Sequence, residues 1–395
     1  MRSEWEIRKV SDIAYLNPKE NLSKGRIAKK IAMEKLLPFC RDISSYEMAP
    51  FSGGAKFRNG DIIMARITPC LENGKVAMVS ILDKDEIGFG STEYIVFRAR
   101  EGIDNNYLYY LVRSPEIREP AIKSMVGSSG RQRVQINVIQ NTEIKVPPYM
   151  EQRVIGSILK AIDDKISLNN KINENLEQQL ATLFTCAFAE DIAVASTKTC
   201  PMLGDLITVI DNRGKTPPLT TATYNYPIID VGALKGPGRI VDFNNCTKYV
   251  EQSTYKTWFR SGHPKPWDIL ISTVGSLAEM KIYLGSKGCM AQNVVALRAT
   301  SINPLYLYQY LRYIRADLVA YNIGSVQPSI KVTHIVKHPI FVPERSKLEN
   351  FEQAAEAATN QLYANYNENE SLKELRDTLL PRLMSGELDV SELDL

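Results

Sequence analysis

The sequence predicts an α+β chain in which two similar mixed modules alternate with two long antiparallel coiled-coil helices, under an internal pseudo-twofold repeat. Three observations predict it. Glu151–Leu183 is an unbroken run of helical periodicity without proline. A second such run lies about 200 residues later. The stretches before the two runs align with each other at nearly constant offset.

The first run sets the scale. Ile155, Ile162, Leu176 and Leu183 recur every seven residues, with Asn169 in the remaining position. Ile158 and Ile172 supply the other half of the heptad seam, and Leu159, Ile166 and Leu180 widen it. At about 1.5 Å per residue the run makes a rod of roughly 50 Å, too long for one compact domain without a partner helix. The partner spans Lys347–Leu383. Its seam reads Leu348, Phe351, Ala355, Ala358, Leu362, Asn365, Asn369, Leu372, Arg376, Leu379 and Leu383. Asn169 and Asn369 either fix register, as polar seam residues do, or are tolerated near a solvated edge.

In residues 1–149, strand-like runs at Asp61–Ile67, Val76–Ile81 and Tyr94–Arg98 precede a helical patch, Tyr107–Val112. A Gly/Ser-rich basic loop at 127–133 and a strand at Glu143–Val146 follow, ending in Pro147-Pro148. Glu151 stands in the first turn of the long helix, where a carboxylate suits the dipole. Residues 191–199 read as a linker. In 200–343, strands are expected at Tyr226–Val231, Asp268–Ser272, Lys281–Leu284 and Asn293–Arg298, and a helix at Leu305–Ile314. Tyr224, Tyr226, Trp258 and Trp267 are core residues by default. Residues 386–395 form a tail.

The repeat joins the halves. Ser11-Asp12-Ile13 matches Gly204-Asp205-Leu206, and Gly60-Asp61-Ile62-Ile63 matches Trp267-Asp268-Ile269-Leu270. Tyr94–Ala99 matches Val294–Ala299, and Tyr110-Leu111 matches Tyr310-Leu311. Ile144–Pro147 matches Ile340–Pro343, each just before its long helix.

Charge separates along the same boundaries. The 395-residue chain has net charge +3, but residues 150–190 carry −2 and 344–395 carry −7, while 1–149 carry +5 and 191–343 carry +7. Two basic modules on acidic rods suggest a polyanion touched at two places. No apolar run reaches the ~18 residues of a membrane span. The first residues carry acids and lack an apolar core, so a signal peptide is not expected. Six scattered cysteines without a CxxC pair fit a reduced, cytoplasmic setting and no zinc site.

Catalytic patterns fail on inspection. Gly214-Lys215-Thr216 resembles the end of a phosphate loop, but Val209 stands where that loop needs glycine, and Pro217-Pro218 prevents the helix that would follow. Pro147-Pro148-Tyr149 resembles an adenine-methyltransferase box, but Val146 replaces its Asn or Asp. Glu143-Ile144-Lys145 has no nuclease-type Pro-Asp partner. His334 and His338 lie in a strand-like run without further ligands, so no metal is expected.

The positive signals are basic and amide residues in loops: Lys24, Arg26, Lys29, Lys30, Lys56, Arg58, Arg66, Arg131, Gln132 and Arg133 in the first module. The second offers Arg213, Lys215, Lys235, Arg239, Lys265, Lys281 and Gln327. Lys and Arg satisfy phosphates, Arg also grips guanine, and Gln can grip adenine. Gln132, Gln135 and Gln327 fall in paired Gly/Ser loops. For any one of these residues, a solvated surface is the simpler reading.

The order module–helix–module–helix resembles the specificity subunit of type I restriction-modification systems. So do the run Val146-Pro147-Pro148-Tyr149-Met150-Glu151-Gln152 and the ending Leu379–Leu388, LLPRLMSGEL. The second helix entrance, Pro343-Glu344-Arg345, departs from the pattern and leaves that helix's start open. The resemblance implies two target recognition domains, 1–149 and 200–343, each reading half of a bipartite double-stranded DNA target. It implies spacer helices at 150–190 and 344–385 that set the unread gap. It implies two modification subunits that methylate adenine with S-adenosylmethionine, and restriction subunits that use ATP and Mg. On that reading the chain binds no cofactor or metal, has no catalytic residue and meets no membrane. The competing expectations are a self-sufficient DNA-modifying enzyme and a coiled-coil scaffold with degenerate modules.

Overall fold

The computed structural model describes residues 5–128, 130–196, 199–221, 226–285, 287–324 and 326–390. Tyr224 and the end of the expected tail lie outside them. The chain divides into two compact units, Met1–Leu168 with Asn369–Leu395, and Asn169–Glu368.

In the first unit a four-stranded antiparallel sheet has the order Ala14–Leu16, Tyr94–Ala99, Ile62–Ala65, Val76–Met78. In the second unit the order is Ile207–Ile210, Val294–Ala299, Ile269–Ser272, Met280–Ile282. The register repeats as well: Ile62 faces Phe97, and Ile269 faces Leu297. Each unit has a second small sheet around a parallel pair. These pairs are Ile27–Ile31 with Gly88–Gly90, and Tyr226–Ile229 with Cys289–Met290. The first unit adds an antiparallel pair, Glu6–Lys9 with Glu143–Val146.

The central strands are buried on both faces, so they read as continuous apolar runs (Ile62–Ala65, Ile269–Ser272) and were visible in the sequence. The edge strands Val76–Met78 and Met280–Ile282 also fall in expected runs, whereas Ala14–Leu16, Ile207–Ile210 and the interior strand Ile27–Ile31 were not expected. Ile27–Ile31, IAKKI, carries two lysines, so the expectation of a basic loop at Lys29 and Lys30 is corrected to a strand.

The first long helix spans Tyr149–Val194 and runs into the expected linker, and the second spans Arg345–Met384. Within each unit their segments run antiparallel. In the first unit Asp163 pairs with Arg376. In the second, Asn173 meets Asn365, and Asp191 meets Lys347. Ile155, Leu159, Ile162, Ile166 and Asn169 are buried, as a heptad requires. The buried positions then continue as Leu180, Phe184 and Phe188, in steps of four. Leu183 is 40% exposed, so the expected seam contact there is corrected to Phe184, which packs on Tyr306 and Phe351. On the second helix Phe351, Ala355, Leu362, Asn365, Asn369, Arg376 and Leu383 are buried as expected. Leu348, Ala358 and Leu379 are partly buried against the two cores. Asn169 is 1% exposed and donates to Glu368 at 2.7 Å, which removes the solvated-edge alternative for it.

The motif at the first helix entrance has a mechanical reason. Gln152 donates to the Pro147 carbonyl at 2.9 Å and accepts from the Asp104 amide at 3.0 Å, tying the helix to the cap of Asn105–Arg113. Trp5 donates to Glu151 at 3.0 Å and packs on Gly386, where φ is +74°. Gly156 lets the helix approach that cap, because a Cβ there would lie 2.9 Å from Asp104 Oδ1 and from the Tyr107 amide nitrogen.

Candidate nucleic-acid interface

Asp61 immediately precedes the strand Ile62–Ala65 of the first unit and takes a two-pronged contact from Arg98, both bonds 2.7 Å. Asp268 takes the same contact from Arg298 at 2.9 and 2.6 Å. Each Asp also accepts the amide three residues before it, from Arg58 and from Lys265. The pair is thus a repeated brace that positions the loop carrying Arg58 in one unit and Lys265 in the other. Its signal was present in the sequence, since both members fall in aligned segments.

The candidate cations divide by what holds them. In the first unit Lys24, Arg26 and Arg131 are exposed, with no side-chain partner among the described residues. Arg58 is half exposed, with one end on Glu20 at 2.6 Å. Burial opposes ionisation of Glu20, but Arg98 and Arg58 hold its carboxyl below the usual value. Lys56 donates to the Glu20 carbonyl, and Lys30 pairs with Glu47. Arg66 donates to the Val134 carbonyl at 3.2 Å, while its buried Nε has no hydrogen-bond partner. Arg133 is held two-pronged by Glu93, whose carboxyl its guanidinium keeps below the usual value. Gln132 is half-buried.

In the second unit Lys215, Lys235, Lys265 and Gln327 are exposed without a side-chain partner among the described residues. Arg213 folds back onto Asp211 at 2.6 Å. Among the described residues, no helix follows the loop holding Lys215 before Val231–Leu234.

Three candidates are corrected, because burial removes them from any DNA-facing surface. Arg239 is 1% exposed, bound to Glu177 at 2.9 Å and to the Thr359 hydroxyl at 2.9 Å, so it locks its module onto both long helices. Lys281 is 3% exposed and donates to the carbonyls of Gly236 and Gly238. Lys29 is 7% exposed, caught between Asp83 and Glu86 at 3.0 Å. Sequence marks a cation but not the carboxylate or carbonyl that claims it. Two further expectations change. Trp258 is 36% exposed rather than core, and Tyr226 and Trp267 are partly buried. His334 lies in a short helix, Val332–Val336, and His338 bonds the Tyr321 hydroxyl at 2.9 Å. Among the described residues no group of His, Cys, Asp and Glu could hold a metal ion, and no helix is long and apolar enough to cross a membrane.

Residues 2–178 match the family model described as the type I restriction modification DNA specificity domain. The type I restriction enzyme MjaIX specificity subunit of Methanocaldococcus jannaschii is 23% identical over 322 residues, which is 74% of this chain and 71% of that protein. The EcoAI specificity subunit of Escherichia coli is 34% identical over 185 residues, 45% of this chain but only 31% of that protein. Among solved structures, the type I restriction-modification S subunit from M. genitalium shares the fold, with a TM-score of 0.55 and 16% identity over 97% of this chain and 96% of that one.

Proposed function

The chain belongs to the type I restriction-modification DNA specificity family, and from that premise we propose that its two units read the two halves of one bipartite DNA target. DNA sequence recognition within the restriction-modification complex is its role. The observation that carries the bipartite reading is the repeat. Sheet order, strand register and the Asp–Arg brace all recur in the second unit, beyond the residues that the family model matches.

On this reading the long helices serve as the spacer and as the platform for two modification subunits. Those subunits transfer the methyl group of S-adenosylmethionine to adenine, and restriction subunits supply the ATP- and Mg-dependent steps. This chain holds none of these cofactors, has no catalytic residue and works in the cytoplasm. Exposed Lys24, Arg26, Lys215, Lys235 and Lys265 meet phosphates, so affinity falls steeply with salt.

Sequencing methylated adenines in cells that carry the modification subunits, with and without this chain, tests the proposal. A two-part methylated consensus that appears only with the chain is expected. Methylation at the same sites without it would overturn the reading.

A further inference from the structure

The two Gly/Ser loops are held to their sheets by the same backbone bonds. In the first unit the Arg66 amide donates to the Glu93 carbonyl at 2.9 Å, and in the second the Thr273 amide donates to Asn293 at 2.8 Å. The Val134 amide donates to the Arg66 carbonyl at 2.9 Å, and the Ile330 amide to Thr273 at 2.8 Å. The Thr68 amide donates to the Gln132 carbonyl at 3.0 Å, and the Gly275 amide to Pro328 at 2.9 Å. The isolated bridges agree, with Ile67 opposite Arg133 and Val274 opposite Ser329.

These bonds fix the register from Val134 and Ile330 out to Gln132 and Pro328; beyond it the first loop is one residue longer, because the Val126 amide closes on the Arg133 carbonyl and the Ile323 amide on that of Ser329. Val134 corresponds to Ile330, Arg133 to Ser329 and Gln132 to Pro328. One residue further out, Arg131 corresponds to Gln327. A glycine backs each of them. A Cβ at Gly127 would lie 2.9 Å from the Arg131 carbonyl oxygen, and a Cβ at Gly324 would collide with the Gln327 carbonyl. Each loop therefore folds its glycine against the backbone of the equivalent residue. Arg131 and Gln327 are both exposed, with no side-chain partner among the described residues. Two nearby side chains are committed: Arg133 is held by Glu93, and Asn322 accepts from the Gly324 and Ser329 amides.

Resting on the reading of the chain as a two-part DNA reader, we propose that Arg131 and Gln327 are equivalent specificity-determining positions that read different bases. Arginine offers two donors to guanine O6 and N7. Glutamine offers one donor and one acceptor to adenine N7 and N6. The first half-site thus contains a guanine read by Arg131, and the second an adenine read by Gln327, both from the major groove. The fixed loop base beneath each side chain limits the freedom lost on binding.

The test uses the full complex in cells and sequences methylated adenines for the original chain and for two variants, Arg131→Gln and Gln327→Arg. Both positions are exposed, so folding is retained. In Arg131→Gln, one position of one half-site should lose its guanine preference by roughly 5- to 150-fold and shift toward adenine, with the other half unchanged. In Gln327→Arg, one position of the other half-site should shift from adenine toward guanine. An unchanged consensus in both variants would overturn this assignment and leave the two-part reading standing. A chain whose original form confers no consensus would overturn both.

Discussion

Arg376 donates to the Asp163 carboxylate at 2.7 Å, and both side chains are only 5% exposed. Tyr110 donates its hydroxyl to the other oxygen of Asp163 at 2.7 Å, and Arg376 also reaches the Phe39 carbonyl at 3.4 Å. One buried carboxylate thus joins the helix Asn105–Arg113 to both long helices within the first unit. Burial, and then the charge of Asp163, push the Tyr110 hydroxyl above its usual range, so it stays a donor.

Arg376→Ala would remove the cation hydrogen-bonded to Asp163 and leave it only Arg113, at 4.0 Å. The expected loss is about 3 kcal/mol, at the low end for a broken buried pair, because Arg113 still offsets part of the desolvation cost. Replacing both Asp163 and Arg376 with leucine should cost less than Arg376→Ala alone. Urea unfolding followed by a probe in the first unit checks this. An unchanged midpoint in Arg376→Ala would show that the pair contributes nothing.

Arg239 and Arg26 were equal candidates in the sequence and differ in the structure. Arg26→Ala should lower the slope of log affinity against log salt by about 0.9 if it meets one phosphate. Arg239→Ala should leave the slope unchanged and destabilise the second unit, because Glu177 loses its two-pronged partner, keeping only Arg312 at 3.4 Å, and the bond to Thr359 is lost. DNA binding of the complex across a salt series, with urea unfolding of each chain, separates the two. A reduced slope in Arg239→Ala would return it to the DNA-facing set.

Lys281 gives the second unit a pH signature. Burial pushes its ammonium down from 10.5 to about 8, against the attraction of Glu177 and with the repulsion of Arg312. Between those values the unfolded chain binds more protons than the folded one, so this group makes stability rise with pH across that window. Lys281→Met should flatten the rise. Comparing urea midpoints at pH about 7.5 and about 9.5 measures it. An equal rise in the variant would assign the effect to another group.

Much of the fold was legible because its signals are long-range and periodic. The heptads located both long helices, and Asp61, Arg98, Asp268 and Arg298 fell in segments already aligned. What was not legible depends on contacts that sequence spacing does not encode. The seam leaves the heptad at Leu180 because Phe184 and Phe188 pack into an aromatic cluster with Tyr306 and Phe351. The short strands Ala14–Leu16 and Ile27–Ile31 lack a strong pattern of their own; the first forms by pairing with Tyr94–Ala99, the second between Glu47–Pro50 and Gly88–Gly90. Among the candidate cations, only partners revealed by folding separate exposed Lys24 from captured Lys29.

The central claim is that the two units read separately. It is tested most directly by replacing residues 200–343 with the corresponding module of another family member and sequencing methylated adenines in cells carrying the full complex. The account predicts that one half of the consensus changes while the other half is kept. A consensus that changes in both halves, or in neither, would contradict it.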